Sequence, residues 1–282
     1  KKRQKLDKYY EIIDHEYGIL PSGNSLLNPT QTTAKSKLGT FLTLQDQQII
    51  DLLEVLGPVT SSKLGMTCKA LYVFSNHEDL WRSWTLSIFK GTFSFKKNWK
   101  TTFAIHYTVP EKKDFVSFVP IKVTDFYSDL LYTSWRCATC PLKDLVNPSK
   151  ENIDRRSNLS FQDFMTHYAI PQIPVILTDI VSTWPAFSKW NLDFFASRAT
   201  DQLYRAESVD ISFQKYLDYM NQAKEESPLY LFDKFSLKND PELSNDYKVP
   251  EYFDQDLFQV LGQEDRPDYR WIIIGPERSG ST

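Results

Sequence analysis

Apolar residues recur at helical spacing through residues 40–108. In "LTLQDQQIIDLLEVLG" the Leu and Ile positions lie three and four residues apart, and Gly57-Pro58 is a typical stop signal. A second run, "TSSKLGMTCKALYVFSN", has Thr60 or Ser61 available as a cap, and a third, "HEDLWRSWTLSIF", follows it at once. The pattern predicts three short helices that form a small bundle.

The pattern changes in residues 150–282. The short apolar runs "IPVILTDI", "LYLFD" and "YRWIIIGP" are typical of strands, whereas "SFQDFMTHY" and "ISFQKYLDYMNQA" have the spacing of amphipathic helices. This half therefore predicts an α+β domain. Residues 1–39 are polar and are expected to be partly flexible, and residues 109–149 are expected to connect the two halves.

Composition narrows the possible classes of protein. The 282 residues are enough for about two domains, and a formal charge of −3 gives no sign of a nucleic-acid-binding surface. No apolar run approaches the ~18 residues that a membrane helix needs. The chain begins with Lys1 rather than Met, so we expect it to be a fragment of a longer protein.

The chain has three cysteines, which are Cys68, Cys137 and Cys140. This low, odd number indicates a reducing compartment, so we expect the protein in the nucleus or cytoplasm. Cys137 and Cys140 have the CxxC spacing of a zinc or redox pair. Because no second pair accompanies them, we assign them a structural role.

The helical region resembles an F-box over about 50 residues. The resemblance rests on the apolar first helix, on the Cys68-Lys69 step in the second, and on Asp79-Leu80-Trp81 at the start of the third, although Leu44-Gln45 replaces the usual Leu-Pro opening. It implies the adaptor subunit of cullin–RING ubiquitin ligases as a partner. We expect five residues to contact that partner: Leu52, Leu53, Leu56, Leu80 and Trp81.

Physical reasoning alone leaves two interpretations of these helices open. Three short helices cannot bury so many large apolar side chains among themselves, so some apolar surface must contact something else. That surface either binds a partner protein or packs on residues 150–282 as a helical cap, and both interpretations can be true.

A His-x-Asp pair occurs at His77-Glu78-Asp79. Such a pair supplies two of the three ligands of non-haem Fe(II) when it lies on a barrel strand. Here Asp79 directly precedes Leu80-Trp81 at a predicted helix start, where a carboxylate favours the helix N-terminus. We therefore expect no iron at this pair.

The closing segment "YRWIIIGPERSGST" is a strand followed by a Gly- and Ser-rich loop. Gly275 to Thr282 resembles a P-loop, but Ser281 stands where the P-loop needs its phosphate-binding Lys. A sulfotransferase-like phosphosulfate loop is a second alternative. Both loops usually open a nucleotide domain, whereas here a long mixed segment precedes the loop.

A third interpretation comes from the surrounding motifs. "IPVILTDIVSTWPAFSKW", "SPLYLFD", "DYKVPEYFDQDLFQVLG" and "RPDYRWIIIGPERSGS" strongly resemble the JmjC proteins of the phosphatidylserine-receptor-like, lysyl-hydroxylase branch. The resemblance implies a double-stranded β-helix, which is a cupin-like barrel that holds Fe(II) and 2-oxoglutarate in its mouth. The fold expected for the chain is thus α+β, with an F-box-like bundle before the N-terminal part of a JmjC domain.

The resemblance also implies roles for single residues. Ser281 matches a hydroxyl that binds 2-oxoglutarate, Thr282 could replace it if the register shifts, and Tyr230 matches a tyrosine near the co-substrate and substrate cleft. Arg278 matches a loop arginine that braces the turn. For Tyr230 a plain core role and for Ser281 a plain turn role stay open as alternatives.

The implied activity is oxidation of a protein substrate, with lysyl hydroxylation favoured over arginine demethylation. The iron ligands are expected beyond Thr282, so this chain by itself should not turn over. Its histidines His15, His106 and His167 have no ligand spacing, and the acidic pairs Glu225-Glu226 and Glu264-Asp265 are candidates for docking a basic peptide. The alternative function is a non-enzymatic F-box subunit that recognises substrates for ubiquitin transfer.

Overall fold

Helices and strands alternate with loops throughout the described chain, which confirms the predicted α+β class. The computed structural model describes residues 17–23, 32–108, 118–133, 152–198, 202–225, 227–262, 264–265 and 270–276. Among them, no helix combines the length and the apolar character needed to cross a bilayer.

Four helices occupy residues 46–107. After a 3-10 turn at Gly39–Thr43, the helices are α1 (Asp46–Gly65), α2 (Lys69–Ser75), α3 (Glu78–Phe89) and α4 (Trp99–Tyr107). The α3 helix is the predicted third helix. The α4 helix was not predicted; it begins at Asn98, whose side chain accepts a hydrogen bond from the Thr101 amide at 2.8 Å.

The boundary between the first two predicted helices differs from the sequence prediction. Gly57 does interrupt the helix, with φ 79° and ψ 169°, but a helical segment resumes directly at Pro58 and runs to Gly65. Ser61 is therefore not a cap. Its hydroxyl is buried and donates to the Leu53 carbonyl at 2.7 Å, so it ties the two segments of α1 together.

The second half contains short elements around two sheets. Its helices are α5 (Phe161–Phe164, continued as a π-helix over Met165–Ala169), α6 (Pro185–Lys189), α7 (Leu192–Ser197), α8 (Phe213–Met220), α9 (Ser236–Asn239) and α10 (Pro241–Asn245). Its 3-10 turns are Val181–Thr183, Glu251–Phe253 and Leu257–Leu261.

The strands form one parallel pair and one antiparallel sheet. The strands are β1 (Asp154–Arg156), β2 (Val175–Leu177), β3 (Leu203–Ala206), β4 (Val209–Ser212), β5 (Leu231–Asp233) and β6 (Ile272–Ile274). β1 pairs with β2 in parallel, and the four-stranded sheet has the order β4-β3-β5-β6. Leu231 pairs with Ile274 and Asp233 with Ile272, which fixes the register of β5 and β6.

One continuous apolar core joins the helices to the four-stranded sheet. Trp99 of α4 is fully buried, and its ring lies 5.0 Å from that of Phe95 and 5.5 Å from that of Tyr219 in α8. Its indole N–H donates to Glu225 at 2.8 Å. The α1–α4 helices therefore pack on the sheet half, as the helical-cap interpretation expected.

Close backbone approach reinforces this junction. Gly91 follows α3 with φ 83°, and a side chain there would collide with the carbonyl oxygen of Asp210 in β4, because a Cβ would lie 2.1 Å from it. Lys215 of α8 also donates to the Gly91 carbonyl at 3.3 Å. The helices and the sheet meet too tightly here for any residue but glycine.

Several residues in the described part of residues 1–39 belong to the core, and the expectation of partial flexibility for this segment stays a prediction. Tyr17 is fully buried and donates to Glu78 at 2.8 Å, and Tyr72 donates to the Tyr17 carbonyl at 3.0 Å. Ile19 forms a parallel bridge with Val123.

Candidate functional site

The β5–β6 part of the four-stranded sheet has one buried and one open apolar face. Along β5 and β6, Leu231 and Ile272 face the core, whereas Phe232 and Ile273 are exposed on the opposite face. Trp271 lies on that open face as well, with its ring 4.7 Å from that of Phe232. A sheet normally buries its apolar faces against another layer, so this face is a candidate binding surface.

Tyr230 lies at the edge of the open face, beside the chain that leads into the closing loop. A Cβ on Gly275 would lie only 2.3 Å from Cε1 of Tyr230, so the tyrosine ring rests directly against the main chain there. Only glycine permits this approach. The structure thus places Tyr230 at the entrance to residues 277–282, the loop that sequence analysis associated with it.

Tyr216 of α8 fixes the neighbouring strand ends. Its hydroxyl lies 2.9 Å from the Leu229 carbonyl and 2.5 Å from the Ile274 carbonyl, and it accepts a hydrogen bond from the Leu231 amide at 3.0 Å. Burial raises the pKa of Tyr216 well above its ordinary value, so the phenol stays protonated. This hydroxyl therefore holds in place both chain segments that flank Tyr230.

Several predicted site residues lie outside the described residues. Ser281, Thr282 and Arg278 belong to this group, as do Cys137 and Cys140. Their roles in binding 2-oxoglutarate, bracing the turn and supporting structure therefore stay predictions.

The histidines in the described ranges have structural surroundings. His106 accepts a hydrogen bond from the Ser94 amide at 2.9 Å, and His167 lies 4.0 Å from Asp163 on an exposed face. Asp79 lies in the first turn of α3, as its sequence context predicted. No group of three His, Cys, Asp or Glu side chains that could hold a metal occurs among the described residues.

The predicted partner-binding residues divide into two sets. Leu53, Leu80 and Trp81 are at most 3% exposed and belong to the core, so they do not form a partner surface. Leu52 and Leu56 are 38% and 41% exposed. Sequence analysis expected all five residues to contact the partner. The spacing of apolar residues identifies an apolar stripe but does not show which of its residues are buried by other elements.

The exposed leucines belong to a wider apolar surface on α1. Val55, which is 85% exposed, and Val59 lie beside Leu52 and Leu56. Leu52 lies three residues before Val55 and four before Leu56, and Val59 lies three residues after Leu56, although Gly57 bends the helix before it. These four residues, called the α1 face below, are exposed.

The acidic residues suggested for peptide docking differ in their surroundings. Glu225 is a structural residue, because its carboxylate accepts hydrogen bonds from Trp99 at 2.8 Å and from Tyr219 at 2.6 Å. Both Glu264 and Asp265 are exposed.

An aromatic cavity of about 840 Å³ adjoins the open sheet face. Trp271 lines both the cavity and the open face. On the other side, the walls come from the segment around α6 and from the loop after α10, including Trp184, Trp190 and Tyr247. Sequence analysis did not predict this cavity, although the "WPAFSKW" and "DYKVPEYF" motifs that carry these rings were noted.

Comparison with known proteins bears on the class of this chain. No family model matches it. The chain is 39% identical over 268 residues to "Arginine-specific demethylase JMJ22" of Arabidopsis thaliana, in an alignment that covers 95% of the chain and 53% of the relative. It is 33% identical over 251 residues to "Lysine-specific demethylase JMJ21" of the same plant, covering 87% of the chain and 26% of the relative.

A third relative matches half of the chain. The chain is 35% identical over 149 residues to "Bifunctional arginine demethylase and lysyl-hydroxylase psr-1" of Caenorhabditis briggsae, covering 50% of the chain and 36% of the relative. The chain thus spans about half the length, or less, of these relatives. The similarity of this chain to JmjC-type demethylases and hydroxylases supports its relationship to the 2-oxoglutarate oxygenases. These oxygenases generally use Fe(II) and 2-oxoglutarate.

Proposed function

We propose that this chain forms part of an Fe(II)- and 2-oxoglutarate-dependent oxygenase that acts on a protein side chain. The observation that carries the proposal is the open sheet face with Tyr230 packed on Gly275, where the chain enters the loop at residues 277–282. In a double-stranded β-helix such an open face would become the inside of the barrel. The names of the similar demethylases and hydroxylases support a lysine or arginine side chain of a protein as substrate.

The residues proposed to hold 2-oxoglutarate are Tyr230, Ser281 and Thr282, whose hydroxyls would donate hydrogen bonds to its carboxylates. When bound together, 2-oxoglutarate and Fe(II) supply the electrons that activate O₂ for attack on a C–H bond. The described residues offer no ligand set for the metal, so no role in metal binding is assigned to them. Phe232 and Trp271 would keep water from the site.

Binding of 2-oxoglutarate to the purified chain tests this proposal without turnover. We expect saturable binding in ligand-observed NMR, because the protein hydroxyls proposed to bind 2-oxoglutarate do so without the metal. Tyr230→Phe keeps the ring on Gly275 but removes one hydrogen bond, so it should weaken binding about fivefold. Ser281→Ala should have a similar effect.

Tyr168→Phe is the matched control, because the Tyr168 hydroxyl contacts Asp154 and Arg156 instead. This variant should bind 2-oxoglutarate as the unaltered chain does. Lack of saturable binding by the unaltered chain would contradict the proposal.

We propose adaptor binding by the α1 face as a second function. The specific observation is that four large apolar side chains, Leu52, Val55, Leu56 and Val59, are exposed on the side of α1 that does not face the core. Exposed apolar surfaces of this kind mark sites of protein association. The F-box resemblance makes the adaptor subunit of cullin–RING ubiquitin ligases the expected partner, and this function is compatible with the oxygenase proposal.

Replacing both exposed leucines tests the adaptor proposal. Leu52→Ala with Leu56→Ala should reduce binding to the purified adaptor subunit at least about tenfold, because each leucine would lose its apolar burial in the interface. Co-purification and surface plasmon resonance measure the change. Ile88→Ala is the control: Ile88 is also exposed but lies on α3, outside the α1 face. Equal binding by the double variant and the control would contradict this proposal.

A further inference from the structure

Three aromatic side chains form one wall of the aromatic cavity. The rings of Trp184 and Tyr247 have centroids 5.9 Å apart at an angle of 65°, and those of Trp190 and Tyr247 are 6.5 Å apart at 66°. In such edge-to-face pairs the edge of one ring lies against the face of the other. An aromatic face that lines a cavity attracts a cation rather than an anion.

Hydrogen bonds hold this wall in place from behind. Asp246 is buried and accepts from the Trp190 indole N–H at 2.9 Å and from the Lys189 ammonium at 3.0 Å. Its carbonyl accepts from the Ala186 amide at 2.9 Å. The tryptophan therefore has a fixed position before any ligand arrives, which lowers the cost of ordering it on binding.

The charges around the cavity also suit a cation. Two carboxylates, Asp254 and Asp256, line it together with a single guanidinium, that of Arg270. Arg270 lies over the ring of Tyr247, with 5.7 Å between its Cζ and the ring centroid. The chain's own arginine thus shows that this ring accepts a guanidinium from the cavity side.

Tyr247 carries a further feature that a ligand could use. Its hydroxyl is buried, and within the described residues no group hydrogen-bonds it. A buried hydroxyl without a partner costs free energy. An N–H donor that reached this oxygen on binding would recover part of that cost, and arginine and lysine side chains both carry such donors.

From these observations we infer that the aromatic cavity binds the cationic side chain of an arginine or lysine residue in a peptide. Trp271 lines both the cavity and the open sheet face. The arginine or lysine in the cavity would therefore be a neighbour, in the same peptide, of the substrate residue on the open face. Cation binding itself needs neither iron nor 2-oxoglutarate. Only the flanking role rests on the proposed oxygenase function.

Short peptides test the inference directly. The probes are acetyl-Gly-Arg-Gly-amide, its lysine counterpart, and a citrulline counterpart that keeps the shape of arginine without its charge. Titrations of the 282-residue chain, followed by tryptophan fluorescence and calorimetry, should show saturable binding of both cationic peptides. The citrulline peptide should bind about tenfold more weakly.

Two substitutions separate a cation site from other uses of the cavity. Trp184→Leu removes an aromatic face and should weaken the arginine peptide about tenfold, whereas Trp184→Phe keeps a face and should weaken it about threefold or less. Arg270→Gln removes the competing guanidinium and should tighten binding. An anion site would show the opposite, because the variant would lose its only cationic lining residue among those described.

The inference is overturned if the citrulline peptide binds as well as the arginine peptide, if Arg270→Gln weakens binding, or if the arginine peptide shows no saturation. Thermal unfolding confirms that each variant is folded. If Trp184→Leu does not fold, the Arg270→Gln variant alone decides the test. Binding of 2-oxoglutarate is measured separately. A chain that binds 2-oxoglutarate but no cationic peptide loses only this inference.

Discussion

Replacing Trp99 with alanine should destabilise the helices and the sheet together by about 4 kcal/mol. Trp99 is fully buried among Phe93, Phe95 and Tyr219, with ring centroids 5.0–5.6 Å away. The substitution removes the largest side chain at the junction and leaves a cavity. It also deletes the indole donor to Glu225, although Tyr219 still donates to that carboxylate at 2.6 Å.

Urea unfolding measures this effect with two probes. Circular dichroism reports on the helices of both halves, and fluorescence reports on the remaining tryptophans, which include Trp81 and Trp84 in α3 as well as those of the second half. Both transitions should shift to lower urea by the same amount, because one core joins the two halves. Trp271→Ala is the control: Trp271 is 38% exposed, and its loss should cost about 1 kcal/mol. Separate transitions for the two probes would show that the chain does not unfold as one cooperative unit.

The stability of the chain should rise between about pH 8 and pH 10.5 because of Lys100. Burial lowers the pKa of Lys100 to about 8 from its ordinary 10.5. Between these two values the unfolded chain binds more protons than the folded one, so the free energy of unfolding increases with pH. Below about pH 8 both states carry the charge, and this stabilisation is absent.

The surroundings of Lys100 set the size of the effect. The full shift in pKa corresponds to about 3 kcal/mol. The ammonium group also lies 4.5 Å from the Phe118 ring centroid and 5.2 Å from that of Trp81, and it donates to Asn76 at 2.7 Å. Because these contacts favour the charged form, we expect a rise of about 2 kcal/mol.

Comparison of the unaltered chain with Lys100→Met isolates this contribution. Urea unfolding of both proteins at pH 7, 9 and 10 should give a stability difference that changes in favour of the unaltered chain as pH rises. Lys96→Met alters an exposed lysine nearby and should show no such change. A constant difference between the unaltered chain and Lys100→Met across this range would contradict the assignment.

Local spacing predicted many of the elements correctly. The third predicted helix corresponds to Glu78–Phe89, and the runs "LYLFD" and "YRWIIIGP" contain β5 and β6. The prediction failed at Trp99–Tyr107, where the sequence "WKTTFAIHY" has no clear polar face, and at Ser61, which looks like a cap but lies inside α1. Ser61 instead donates to the Leu53 carbonyl within α1, and the Asn98 cap begins the helix at Trp99.

The candidate site was only partly predictable. Tyr230 was singled out by its motif, and the structure adds its position against Gly275 at the entrance to the loop. The aromatic cavity was missed because Trp184 and Tyr247 are far apart in the sequence, and neither segment alone has the pattern of a site. Only the packing of α6 against the loop after α10 brings their rings together.

The sequence by itself determined the class of several elements, such as the helix at Glu78–Phe89 and the strands β5 and β6, because the spacing of apolar residues decides locally between helix and strand. It also determined where the chain must bend, as at Gly57. Only the tertiary structure decided which apolar residues are covered. Leu53 and Leu52 are neighbours of the same type, yet one lies in the shared core and the other on an open face, because burial depends on elements that pack from elsewhere in the chain.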